Sequence, residues 1–345
     1  MIATGLFIGP GWLPELKVRI RKEGSKKMVD RSMKVAGIDT GKSELCVCLL
    51  LPEEVRFSVR NDARGIAALV ARCRAAGVER AALEATSIYH RKAMLALAQA
   101  GIEAAEVQPR QVRRFAEALL KWAKTDAIDA LVIARFAQVI DTPRQGFSEA
   151  MQDLAEHLTY IEQIEERRAW LKTTLERFTS APFRRQIETD IKALDKRCRA
   201  ALRKLEARLR AEASLAARLD LLLTIPGIAE RTALGFLIRM PELGSLSREQ
   251  AAKLAGLAPL NDDSASHQGE RHIFGGRDRF RRTAFNAAFS ACVHWNKDLN
   301  TFYRRLLANG KPHTKAVTAC ARKLVILANT ILARGTPWKD REVMP

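Results

Sequence analysis

Between Lys34 and Gln138 the apolar residues change period several times, and the order of those changes leaves few folds open. KVAGIDT, ELCVCLLLP and EVRFSVRN are short runs rich in apolar and β-branched residues. A Gly41-Lys42-Ser43 turn separates the first two, and the third alternates as a half-buried strand does. DARGIAALVARCRAAG then takes helical spacing, with Asp62 placed as N-cap and Gly77 as stop. RAALEAT predicts a buried strand, IYHRKAMLALAQAG a helix and IEAAEVQP another strand, while RQVRRFAEALL and KTDAIDALVIARFAQ predict two closing helices. Hairpins give antiparallel neighbours and crossover helices give parallel ones. Residues 34–145 are therefore expected to form an α/β domain with one mixed sheet covered by helices.

Residues 146–215 carry a different pattern. Met151, Leu154, Leu158, Ile161, Leu171, Leu175 and Phe178 recur at threes and fours. After Ser180-Ala181-Pro182 a second series follows, with Ile187, Ile191, Leu194, Cys198, Leu202, Leu205 and Leu209. Charged residues fill the gaps, which predicts two long amphipathic helices broken at Pro182, an antiparallel helical hairpin or coiled-coil arm that serves as spacer or oligomerisation contact. Residues 216–335 read as a mostly helical C-terminal domain and 336–345 as a tail. Residues 1–33 read as a basic extension, a loosely held tail, an over-long start or an arm for nucleic acid.

The chain of 345 residues has a formal net charge of +19, which favours a polyanionic partner, most commonly nucleic acid. From Ser264 onward 15 Lys and Arg face 5 Asp and Glu, so more than half of the surplus sits in under a quarter of the chain. No apolar run approaches the roughly 18 residues of a membrane span, so no membrane partner is expected. The opening MIATGLFIGPGWLPEL, broken by Gly and Pro, makes a poor signal peptide. The six cysteines are scattered without a C-x-x-C pair and read as reduced packing thiols of a cytoplasmic protein.

Four acids stand out against this basic background. Asp39 ends the first strand and taken alone can cap a turn. Glu84 closes a buried strand, where a carboxylate is costly unless paired or metal-bound. Asp126 and Asp129, three apart at a helix start, share one face and can serve as caps. Together, three elements deliver acid to the edge of one sheet, and such like charges repel unless divalent cations neutralise them. Mg²⁺ or Mn²⁺ takes carboxylate oxygens, and two ions can clamp the attacking and leaving oxygens of a phosphodiester. An acid cluster in basic surroundings points to phosphodiester chemistry on nucleic acid.

The element order, with Asp in strand one, Glu after strand four and a D-x-x-D helix, resembles the RNase H-like fold of the RuvC resolvases. More narrowly, GIDTGKSELCV, ALEATSIYH and KTDAIDALVIARF resemble the DEDD transposases of bacterial insertion sequences, relatives of Piv-type DNA invertases. IPGIAERTA and AGLAPLNDDSASHQGERHIFGGRDRFRRTAF resemble the C-terminal transposase domain of the same family. The resemblance implies that Asp39, Glu84, Asp126 and Asp129 are metal-binding acids. It further implies that Ser264, which follows Gly256-Leu257-Ala258-Pro259, is the nucleophile that forms a phosphoserine link to DNA in a site composed from two domains of one or two protomers. Also implied are cut-and-join recombination, an element-encoded guide RNA, a homo-oligomer (dimer or tetramer) and a nucleoid-associated cytoplasmic location. In the family Gly follows this serine. Here Ala265 and then Ser266 follow, which makes a positive φ or close backbone approach costlier; spacing from Pro259 favours Ser264 over Ser266.

Two further features fit substrate handling. Pro226-Gly227-Ile228 followed by Arg231 resembles a helix-hairpin-helix turn, with Ala229 where a second Gly is usual, and a plain helix turn fits as well. Arg277, Arg279, Arg281 and Arg282 place four cations in six residues, either on phosphate or on a solvated face. The rival readings are a RuvC-like metal nuclease or junction resolvase that activates water, with Ser264 structural, and a decayed copy that only binds nucleic acid.

Overall fold

The computed structural model describes residues 33–51, 53–85, 88–119, 126–139, 149–260, 263–264, 267–268 and 271–339, with the backbone alone at 126–128, 149, 260, 263–264 and 267–268. The N-terminal extension up to residue 32 and the tail from 340 lie outside the described residues. The chain divides into two compact units, Met1–Phe147 and Ser148–Pro345.

The first unit follows the expected order: β1 (Val35–Thr40), β2 (Glu44–Leu50), β3 (Glu54–Arg60), α1 (Ala63–Ala75), β4 (Arg80–Glu84), α2 (Arg91–Gln99), β5 (Glu103–Val107), α3 (Pro109–Ala118) and α4 (Asp126–Val139). Asp62 caps α1, its carboxylate accepting from the Gly65 N–H at 2.8 Å. The five strands form one mixed sheet in the order β3-β2-β1-β4-β5. The β1–β2 and β2–β3 pairs are antiparallel, whereas β1–β4 and β4–β5 are parallel.

Strand parity assigns the two faces. Ala36, Ile38, Val47, Ala81 and Leu83 pack with Ile66, Leu69, Met94 and Leu97 of α1 and α2. Val35, Ala82 and Val107 pack with Val112 of α3 and with Val132, Ile133 and Phe136 of α4. α4 lies directly on β1: a Cβ on Gly37 would stand 2.2 Å from both the Ala130 carbonyl oxygen and the Ala134 nitrogen. Gly37→Ala is therefore expected to push α4 off the sheet and to cost about 1–3 kcal/mol, as overpacking does, read as a lowered denaturation midpoint. At the other end of the helix the buried Arg80 donates to the Ala137 carbonyl at 3.3 Å and pairs with Glu103 at 3.1 Å. α4 thus runs antiparallel to β1, with its N-terminus over the strands' carboxyl ends.

The second unit opens with α5 (Glu149–Leu175) and α6 (Ala181–Arg210), antiparallel to one another and bridged by Arg168–Asp195 at 2.5 Å and Arg208–Asp153 at 3.4 Å. The break falls at residues 176–180, just ahead of the position expected from sequence. Pro182 sits in the first turn of α6, where its missing N–H has no intrahelical partner to lose. Next come α7 (Ala213–Leu223), α8 (Glu230–Arg239) and α9 (Arg248–Leu254). Four two-residue strands follow, β6 (Pro259–Leu260), β7 (Asp263–Ser264), β8 (His267–Gln268) and β9 (His272–Ile273), with β6 paired to β9 and β7 to β8. α10 (Asp278–Ser290), a π-turn at Ala291–Trp295, α11 (Lys297–Ala308) and α12 (His313–Arg334) complete the unit. Leu158, Ile161, Leu205, Leu219, Phe236, Phe280 and Leu324 belong to one continuous core, so the hairpin and the C-terminal helices meet without a break in packing near residue 215. Phe236 and Phe280 stack at its centre with ring centroids 4.8 Å apart.

By length and composition α12 could cross a membrane, an exception to the sequence expectation. Half of its most apolar stretch is buried, and Val317, Cys320, Leu324 and Val325 are fully covered, which accounts for its composition as a core helix. Each of the six cysteines is an unbridged thiol, and burial pushes the Cys48 and Cys73 thiols up to about 11 and Cys320 up to about 12, well away from reactive thiolates.

Candidate functional site

The face of the sheet under α4 collects acid. Parity from the β1–β2 and β1–β4 registers puts Asp39 and Glu84 on the same face as Gly37 and Ala82, the one that α4 covers. The Thr40 hydroxyl donates to the Glu84 backbone carbonyl at 2.8 Å and ties the carboxyl ends of β1 and β4 together. Asp126 is the first residue of α4, and its side chain lies outside the described residues. Asp129 immediately precedes Ala130, the residue seated on Gly37. Asp39, Glu84 and Asp129 are all half-buried. Carboxyl ends of parallel strands beside a helix N-terminus form the usual crevice for ligands in such sheets. His90 is separate: it is buried under the opposite face and faces Glu106 at 3.6 Å. Among the described residues no three His, Cys, Asp or Glu side chains form a group able to hold a metal ion.

In the second unit Ser264 pairs with His267 in the β7–β8 register, and Asp263 with Gln268. The connection between Ser264 and His267 is Ala265-Ser266, which lies outside the described residues. Ser264 therefore ends a short strand at a two-residue connection, beyond the Pro259–Ile273 rung of β6 and β9.

The residues expected to contact phosphate have partners inside the unit. Gly227 takes φ +93°, and a Cβ there would stand 2.3 Å from the Ala291 Cβ, so tight packing of the turn on the π-turn already requires glycine. Arg231 makes a paired contact to Glu165 through Nε at 3.0 Å and Nη2 at 3.0 Å. Arg277 forks onto Glu242 at 2.7 and 2.6 Å and donates to the Arg239 carbonyl at 3.0 Å. Burial works to raise the Glu242 carboxyl, and the Arg277 guanidinium outweighs it, holding the group below the usual carboxylate range. Arg279 reaches Glu162 at 2.9 Å, Arg281 the Gly275 carbonyl at 2.7 Å and Asp278 at 2.5 Å, and Arg282 both Glu166 and Asp278 at 3.5 and 3.4 Å. Three glutamates of α5, Glu162, Glu165 and Glu166, thus take up arginines from α8 and α10. Sequence reasoning missed them because they lie more than sixty residues from their partners.

Residues 36–180 and 219–304 each match a family model, described as "Transposase" and as "Transposase IS116/IS110/IS902 family". The first match spans the first unit and continues through α5, and the second lies within the second unit, so the chain carries two transposase domains. The domains are those of the IS110 type, the first being its DEDD domain. The insertion element IS110 uncharacterized 43.6 kDa protein of Streptomyces coelicolor is 33% identical over 141 residues, 40% of this chain and 35% of that protein. Pilin gene-inverting proteins of Moraxella bovis and Moraxella lacunata are 28% identical over 127 residues, 36% of this chain and 39% of each relative. The match thus spans between a third and two fifths of these relatives' length. Among solved structures, T. thermophilus RuvC in complex with Holliday junction substrate aligns over 33% of this chain and all of its own, with 18% identity and a TM-score of 0.27.

Proposed function

We propose that this protein is a metal-dependent DNA transposase-recombinase that uses a serine nucleophile. The observation that carries the reading is the meeting of Asp39, Glu84 and the N-terminus of α4 at one end of the sheet, in a chain with two IS110-type transposase domains. The donor set suits a hard cation, since all four groups are carboxylates. Asp39, Glu84, Asp126 and Asp129 would hold Mg²⁺ or Mn²⁺. Such an ion would neutralise carboxylate charge and polarise phosphate oxygens. Ser264 supplies the attacking oxygen: its bond to phosphorus forms as the bond to a deoxyribose oxygen breaks, and that oxygen leaves with the serine's proton. One phosphodiester replaces another, so the broken end can be rejoined without an outside energy source.

The reading extends to partners. DNA is the substrate, as the names of the pilin gene-inverting relatives suggest, and an element-encoded guide RNA supplies sequence choice by pairing. The α5–α6 hairpin is the surface for a homo-oligomer, with Trp170 64% and Phe183 61% exposed along it.

A denaturing gel tests the proposal directly. Purified protein, Mg²⁺, RNA transcribed from the flanking element and labelled junction DNA are expected to give a covalent protein–DNA adduct. Ser264→Ala and Asp126→Ala should each remove it. Cleavage without an adduct that survives Ser264→Ala would mean a water-using nuclease, and binding with neither would mean an inactive copy.

A further inference from the structure

A second group of cations lies elsewhere in the second unit. A groove of about 1470 Å³ runs between α9, α11, α12 and the segment after α12. Arg248, Lys253, Arg305, Arg322, Lys323 and Arg334 line it, against two acids, Glu249 and Asp298. Both acids belong to first turns of helices, where the dipole favours them, and Glu249 also accepts from the Ser247 hydroxyl at 2.9 Å. Among the described residues Arg248, Lys253, Arg305, Arg322 and Arg334 form no ion pair, in contrast to the arginines of α8 and α10.

The floor is of another kind. Phe302, Ile326, Leu327 and Trp338 line it, and Trp338 is fixed by its backbone N–H donating to the Thr224 hydroxyl at 2.9 Å. Lys323 lies 3.8 Å from the centre of the Phe302 ring and Arg305 lies 5.3 Å from it, so cation and aromatic surface are interleaved.

We propose that this groove binds a single strand of nucleic acid, the rim cations holding phosphates and the aromatic floor taking unstacked bases. A duplex hides its bases and offers phosphate alone, so an apolar floor would add nothing to its binding. A single strand uses both surfaces, since stacking on aromatics and charge along a groove are the two terms of such binding. The proposal deepens the transposase reading by naming where a strand is held. Its test reads binding alone, so failure of strand transfer and failure of the groove are separable.

The experiment is fluorescence anisotropy of the full chain over a salt series. Three labelled probes serve, an oligodeoxythymidine of about 12 nucleotides, its oligouridine counterpart and a duplex of the same length. Wild-type protein is expected to bind the single strands more tightly than the duplex. Lys253→Glu/Arg334→Glu should lower the slope of log affinity against log salt by about 1.4, roughly 0.7 for each phosphate that is no longer neutralised. Trp338→Ala should weaken single-strand binding by about fivefold to a hundredfold. The exposed pair Lys192→Glu/Lys196→Glu on α6 is the charge-matched control and should leave the slope unchanged. Thermal melts show that each variant is folded, and Lys253→Gln/Arg334→Gln serves if the reversal is not. Preference for uridine would identify the strand as RNA and preference for thymidine as DNA, and either upholds the groove. The proposal falls if the groove variants bind like wild type, if Arg279→Gln/Arg282→Gln carries the loss instead, or if duplex binds as tightly and Trp338→Ala changes nothing.

Discussion

Asp39→Asn and Glu84→Gln are each expected to reduce Mg²⁺-dependent strand cleavage and joining by about a thousandfold or more while leaving the folded state at least as stable as before. Both replacements keep side-chain shape and remove one charge. On the proposed function a bound ion supplies several kcal/mol of charge stabilisation where the phosphate reacts, and loss of that much corresponds to the expected drop in rate. Asp39 and Glu84 stand half-buried on one face of the sheet at the ends of neighbouring strands, where a second negative charge disfavours the first, so removing one charge is expected to carry no loss of stability. Two readouts follow. The melting temperature of the wild type should rise with Mg²⁺ or Mn²⁺, because a ligand that binds only the folded form stabilises it. That rise should shrink or vanish in both variants. Glu106→Gln, whose residue pairs with His90 under the opposite face, should leave activity and the metal-dependent shift intact. Wild-type rates in Asp39→Asn, or a metal-dependent rise that persists in both variants, would remove the acids from the chemistry.

How much of this was legible in the sequence depends on how local the determining contacts are. The order of β1 to α4 could be read because each element announces itself by its own period, and Asp62 caps α1 as its position suggested. The placement of Asp39 and Glu84 on one face follows from parity once β1 and β4 are known to be parallel neighbours, and the crossover pattern gives that. The direction of α4 could not be read. It rests on Gly37 admitting the helix backbone at Ala130 and Ala134, and on Arg80 reaching Ala137 across 57 residues of sequence. The arginines show the same limit from the other side. Arg279 and Arg282 look like a solvated or phosphate-binding run because Glu162 and Glu166, which face them, lie more than a hundred residues earlier. Gly227 likewise looks like a backbone donor's partner until Ala291 is found against it. Charge counted along the chain therefore locates basic residues, and only their partners in space decide which of them are free to meet a polyanion.

Glu162→Ala is expected to destabilise the second unit by about 3–5 kcal/mol, as loss of one member of a buried ion pair does. Glu162 keeps 14% of its side chain exposed and is shared by Arg239 at 2.7 Å, Arg279 at 2.9 Å and Arg231 at 3.8 Å. Arg239 bears the cost. Its guanidinium is pushed below its ordinary value chiefly by burial, with Glu162 opposing that shift, and its buried Nε has no hydrogen-bond partner among the described residues. Removing Glu162 leaves that cation desolvated without its nearest counter-charge. Arg279 is half exposed, and an exposed pair contributes little, so Arg279→Ala should cost less than about 1 kcal/mol. Glu162→Met/Arg239→Met should recover most of the loss, because apolar replacement of both partners leaves no buried charge behind. Urea midpoints of the three variants decide the matter: equal costs for Glu162→Ala and Arg279→Ala would show that Arg239 finds water or another acid. The expected ranking would mean that the α5 acids hold α8 and α10 in place, so weaker nucleic-acid binding in Glu162→Ala would report a disturbed fold and not the absence of a group that touches phosphate.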